Sequence, residues 1–188
     1  MDNKLRIIGF LGRHKGESFT MLETSKLLGI PYATFHRTLG GMADLVMKNK
    51  KGNTTLIEVK ARNPIVTPYM ALSSYEEKKE AVRKQALLKE IDQIETSSIV
   101  VVFGSYAKGK QRKDSDLDLL VINKRGEKDM SFSKLELIYR KKINPIYVSE
   151  SEFKDMLGDE EENVGKQALK HNIVLKGHER FWELVYGR

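Results

Sequence analysis

Residues 99–121 read IVVVFGSYAKGKQRKDSDLDLLV, and no other stretch restricts the fold as much. Ile99-Val100-Val101-Val102-Phe103 is an apolar, mostly β-branched run, long enough for a buried strand and too short for a helix. Gly104-Ser105 breaks it, a basic loop follows, and Asp116-Leu117-Asp118-Leu119-Leu120-Val121 re-enters as a strand. Strand residues two apart share a face. Asp116 and Asp118 are therefore expected side by side, with Leu117 and Leu119 turned the other way into a core. Two adjacent carboxylates repel each other unless a cation sits between them. The economical expectation is a hard divalent cation, Mg²⁺ or similar, held by oxygen ligands. Ser105 ends the first strand, where its hydroxyl and the neighbouring backbone N–H groups could hold a phosphate.

A lone Asp-x-Asp is usually just a solvated strand end. Here it is joined to a strand, a Gly104-Ser105 turn and a spacer over residues 106–115, and that combination resembles the signature of the polymerase-beta-like nucleotidyltransferase superfamily. The fuller pattern Gly104-Ser105-x-Ala107-x-Gly109 … Asp114-Ser115-Asp116 is similar to the minimal nucleotidyltransferases, the small stand-alone branch. In that family the carboxylates bind two divalent ions, which bridge a nucleoside triphosphate and activate an acceptor hydroxyl. The resemblance implies that Asp116 and Asp118 are the catalytic and metal-holding residues, with Mg²⁺ (or Mn²⁺) as cofactor. It implies nucleotide contacts from Gly104 and Ser105 and a loop-orienting role for Ser115. Lys108, Lys110, Arg112 and Lys113 could add positive charge to the triphosphate, although a basic loop is more often merely exposed.

One feature departs from the family pattern. Active members usually carry a third Asp on the next strand, facing the first two. Here that strand reads Ile143-Asn144-Pro145-Ile146-Tyr147-Val148, with no carboxylate, and Asn144 offers a neutral oxygen at best. Losing this charge weakens the hold on a second metal and the deprotonation of the acceptor.

The charge is unevenly spread. Residues 1–62 hold 11 Lys+Arg against 5 Asp+Glu, which is +6 of the total +7, and this points to a polyanion partner there. Leu5, Ile7, Ile8, Phe10 and Leu11 mark a first helix. Thr20-x-x-Glu23 is a capping-box pattern that opens a second, ending near Gly29. Pro31 suits the first turn of a third, with Phe35, Leu39 and Met42 on its buried side. Two strands then flank a basic hairpin, Lys50-Lys51-Gly52-Asn53. Three helices and such a hairpin resemble a winged helix-turn-helix. If this unit binds double-stranded DNA, the third helix would bring Tyr32, Thr34, His36 and Arg37 to the major groove. Lys48, Lys50 and Lys51 would meet the backbone or the minor groove. A protein-interaction or dimerisation role is the bland alternative.

The expected fold is α+β: a winged helix over 1–62, a linker over 63–72, and over 73–188 a small nucleotidyltransferase-like α/β domain with a mixed sheet. The linker holds Pro64 and Pro68 and shows no period, and a long helix is expected from Ser73-Ser74 to about Ile94. Pro145 cannot donate to a ladder, so strand 143–148 should lie at an edge or be irregular. There is no cysteine, no signal-peptide h-region and no long apolar run for a membrane span, which fits the expectation of a cytoplasmic chain.

Two functions follow as expectations. The first is an Mg-dependent enzyme moving AMP from ATP to a hydroxyl on a protein or small molecule. Minimal nucleotidyltransferases often act as antitoxins, so the resemblance suggests a HEPN-type toxin as partner. The second is a DNA-binding transcription regulator whose nucleotidyltransferase-like domain is weak or inactive and serves as a sensor or a homodimer platform.

Overall fold

The computed structural model describes residues 1–187. The chain divides into two units, Met1–Ser73 and Ser74–Arg188.

The first unit begins with α1 (Asn3–Arg13), which Asp2 caps by accepting from the Lys4 N–H at 2.6 Å. β1 (Phe19–Thr20) leads directly into α2 (Met21–Leu27), and the Thr20 hydroxyl accepts from the Glu23 N–H at 3.0 Å, as the Thr20-x-x-Glu23 spacing predicts. α3 (Tyr32–Gly40), β2 (Val46–Lys51) and β3 (Thr54–Val59) follow. The strands form an antiparallel sheet in the order β1-β3-β2. Ile7, Ile8, Leu11, Phe35, Leu39, Met42 and Ile57 are almost wholly buried and make the core, so the helical face read from Phe35, Leu39 and Met42 does point inward.

The expected linker is corrected by the next element. α4 runs from Val66 to Lys84, so helix replaces an aperiodic connector from Val66 onward. Pro68 is tolerated because it falls in the first turn, where its missing N–H would have no helical partner. Val66 and Met70 are fully buried. A side chain at Gly12 would collide with Met70, so the absence of one at that position admits the helix. Ser73, expected near the start of a helix, sits well inside it and donates to the Leu5 carbonyl at 2.9 Å. The helix is also shorter at its far end than expected. It breaks at Gln85, whose backbone is extended (φ −132°, ψ 106°), before α5 (Ala86–Gln93).

The second unit is built on a four-stranded mixed sheet. Its strands are β4 (Ile99–Val102), β5 (Leu117–Asn123), β6 (Ile143–Ser149) and β7 (Ile173–Lys176), in the order β6-β5-β4-β7. β5 and β6 are parallel, and both other pairs are antiparallel. The apolar run of β4 is buried along its whole length and that of β5 over Leu119, Leu120, Val121 and Ile122, the mark of interior strands. Their neighbour β6 lies at an edge, where Pro145 needs no ladder partner. Between strands lie α6 (Gly104–Ala107), α7 (Ser133–Tyr139), α8 (Glu150–Gly158) and α9 (Val164–Lys170). α8 opens with a full capping box between Ser149 and Glu152.

One core cluster gathers Leu88, Ile91, Val100, Val102, Leu117, Leu119 and Val121. Elsewhere in this unit the closing helix α10 (His178–Tyr186) buries Phe181 and Trp182 completely, and the Phe181 ring lies 5.6 Å from Phe153. The Trp182 indole donates to the Ser74 hydroxyl at 3.1 Å, and the same hydroxyl lies 3.1 Å from His178 Nδ1. Among the described residues no helix is long and apolar enough to cross a membrane.

Candidate functional site

The β4–β5 pairing decides where the site forms. The Phe103 N–H donates to the Asp118 carbonyl at 3.1 Å, which brings the end of one strand against the start of the other. Gly104 then turns with φ +67°, in the left-handed region that favours glycine. A Cβ there would also strike Asp118 Oδ2, with Asp118 Cγ and Cβ at 3.2 and 3.4 Å. The glycine is thus required twice, by its backbone angle and by the carboxylate lying against it.

Asp116 and Asp118 flank Leu117, which is fully buried, so both carboxylates emerge on the opposite side and remain partly exposed. The parallel register of β5 and β6 sets Asn144 directly beside Asp118. Its amide Nδ2 donates to Asp116 Oδ2 at 3.2 Å and lies 3.5 Å from Asp118 Oδ1. One nitrogen therefore reaches both carboxylates, which converge on a common point. Lys142, two residues earlier, carries its ammonium 3.7 Å from Asp116 Oδ2.

The loop between Gly104 and Asp116 is tied at several points. The Lys110 N–H donates to the Ser105 carbonyl at 3.0 Å, and the Ser115 hydroxyl accepts from the Arg112 N–H at 2.8 Å. Lys141 donates to the carbonyls of Lys113 and Ser115 at 2.5 and 3.0 Å, holding the last turn before Asp116. Lys108, Lys110, Arg112 and Lys113 are exposed.

Gly104, Ser105, Ser115, Asp116 and Asp118 thus belong to one neighbourhood joined by the β4–β5 pair and its connecting loop. Lys141 and Lys142 belong there too and were missed by the sequence reading. Only the register of β6 on β5 reveals them, and that pairing is not written in the spacing of either strand. The donor set suits a hard cation: two carboxylates with a shared focus, oxygen only, beside a turn with no side chain. Among the described residues no third carboxylate, histidine or cysteine joins them in a possible metal group.

The residues expected at DNA lie in the first unit. Tyr32, His36 and Arg37 are exposed on α3, and Thr34 is partly so. The rings of Tyr32 and His36 stand 6.3 Å apart. Lys48, Lys50 and Lys51 are exposed on β2, where alternation puts Lys48 and Lys50 on one face and Lys51 on the other.

Residues 84–174 match the family model described as nucleotidyltransferase domain. The matched segment spans β4, β5 and β6 and contains Gly104, Ser105, Asp116, Asp118 and Asn144, so the likeness to that family falls on the part of the chain that builds the site. No curated protein and no solved structure matches the chain.

Proposed function

We propose that the nucleotidyltransferase domain transfers AMP from ATP to a hydroxyl on a protein or a small molecule, and that Asp116 and Asp118 hold Mg²⁺ (or Mn²⁺) for it. The observation that carries this reading is the convergence of the two carboxylates beside Gly104, where one amide nitrogen is within 3.5 Å of both. A bound divalent cation would neutralise the charge of the triphosphate. The residues of the chain do the positioning. Gly104 lets the Asp118 carboxylate lie directly against the turn, Ser105 offers a hydroxyl at the same turn, and Ser115 with Lys141 fixes the loop that delivers Asp116. In the reaction the acceptor oxygen bonds to the α-phosphorus and the bond to the bridging oxygen of the β-phosphate breaks. Pyrophosphate leaves with the electron pair, and the hydroxyl proton passes to a carboxylate or to water.

The first unit supports a second role beside this one. Its order of elements, with α2 and α3 joined across a short turn and a β2–β3 hairpin beyond them, suits a winged helix on DNA, and its exposed lysines and arginine supply the charge. A nucleotide-transferring antitoxin that binds DNA and modifies a HEPN-type toxin combines both roles in one cytoplasmic protein, and a homodimer would suit a two-fold DNA site. The neutral Asn144 favours slow turnover without a partner, and in the limit a regulator that binds nucleotide without turnover.

Incubation of the full chain with α-labelled ATP, Mg²⁺ or Mn²⁺ and a cell lysate tests the reading. Label should appear on an acceptor and vanish with Asp116→Asn or Asp118→Asn. Labelling that survives both substitutions refutes the assignment of these carboxylates.

A further inference from the structure

The four carboxylate oxygens of the site do not face the same surroundings. Asp116 Oδ2 and Asp118 Oδ1 face β6, where Asn144 Nδ2 stands 3.2 and 3.5 Å away and Lys142 Nζ lies 3.7 Å from Asp116 Oδ2. Asp118 Oδ2 faces the other way, against the bare Cα of Gly104. The β6 side is thus met by an amide N–H and an ammonium of the chain itself, whereas on the Gly104 side the turn presents no side chain to Asp118.

Charge points the same way. Two carboxylates balance one divalent ion. A second ion on the β6 side would displace two amide hydrogen-bond contacts and approach an ammonium, and it would find no new anion in return. Turning the amide over would offer only a neutral oxygen.

We infer that this site takes one divalent cation, on the Gly104 side, and that Asn144 and Lys142 occupy with their own N–H groups the place of a second cation. The inference rests on the nucleotide-and-metal reading above and specifies its stoichiometry. Asn144 and Lys142 are positioning residues here. Asn144 reaches both carboxylates with its amide, Lys142 places a positive charge beside Asp116, and neither need touch a reacting atom.

The test counts bound Mn²⁺ on the full chain, by electron paramagnetic resonance and by calorimetry, at saturating α,β-methylene-ATP. The expected result is one Mn²⁺ per chain for the parent and two for Asn144→Asp combined with Lys142→Met, which restores an anion and removes the competing ammonium. Lys142 is exposed and Asn144 partly so, and melting curves establish that the variant is folded. Two ions on the parent would overturn the inference while leaving the nucleotide reading intact. One ion on the folded double variant would overturn the roles given to Asn144 and Lys142. No Mn²⁺ and no nucleotide on the parent would overturn the inference together with the reading it rests on.

Discussion

Gly104→Ala separates the backbone requirement at the turn from the chemical one, because the same loop contains its own control. Gly104 and Gly109 both have positive φ, +67° and +63°. An L-residue held in that region costs about 1–2 kcal/mol, so alanine at either position should lower stability by a similar amount. For a chain of this size each kcal/mol corresponds to about 2–4 °C in Tm. The surroundings differ, however. A Cβ at Gly109 meets nothing within 4 Å, whereas at Gly104 it would strike Asp118 Oδ2 and come within 3.2 Å of Asp118 Cγ. The carboxylate must swing away, and the two-carboxylate focus is lost. Disturbing the setting of a metal ligand typically costs about 10–100-fold in affinity, which is about 1.4–2.7 kcal/mol. Calorimetry with Mg²⁺ and a non-hydrolysable ATP analogue, paired with thermal melts, reads both quantities. Similar Tm losses with a binding defect only in Gly104→Ala are expected. Equal binding by the two variants would refute the placement of cation and phosphate against Gly104.

A pH-dependent stability is expected from His178. Burial, and next the ammonium of Lys78, push its pKa down to about 4, against a smaller opposing pull from Asp92. The unfolded chain takes up this proton near pH 6.5, so the contribution is fully present above 6.5 and is lost as pH falls toward about 4. The shift corresponds to at most about 3 kcal/mol, reduced to about 1–2 kcal/mol by the partial exposure of the ring. Urea midpoints at pH 7 and pH 5 should therefore converge on replacing His178 with Gln, and an unchanged gap would show that other groups carry the pH effect. For DNA, Arg37→Ala should weaken binding and Lys50→Ala with Lys51→Ala should lower the salt slope by about 1–2. Unaltered affinity and slope in fluorescence anisotropy would remove α3 and the hairpin from the interface.

The strand–turn–strand over residues 99–121 was legible because β-branched runs and a Gly-Ser break admit few alternatives. The edge position of β6 could be read from Pro145, and the starts of α2 and α8 from their capping sequences. Ser73 and Ser74 show why other signals misled. They precede acidic residues in a cap-like spacing, yet they sit within α4, and their hydroxyls are engaged with Leu5 and with Trp182 and His178, far away in sequence. No local pattern encodes such partners. The break at Gln85 carries neither Gly nor Pro and was equally invisible. At the site the same limit applies. Alternation placed Asp116 and Asp118 on one face and the family resemblance pointed to Asn144 on the next strand, but the involvement of Lys141 and Lys142 depends on how a parallel strand aligns after an intervening helix.

The hydroxyl of Ser74 and the indole of Trp182 also mark how much chain the chemistry needs to stand alone. The family likeness covers residues 84–174, yet that segment contains neither group. Cutting the chain at those borders would remove α10 and halve β7, whose Lys176 pairs with Val100. The interior strand β4 would become a partly bare edge, its apolar run open to pairing with another molecule. The likeness therefore marks a part of the second unit and not its limits of independence, and the smallest self-sufficient piece extends beyond it at both ends.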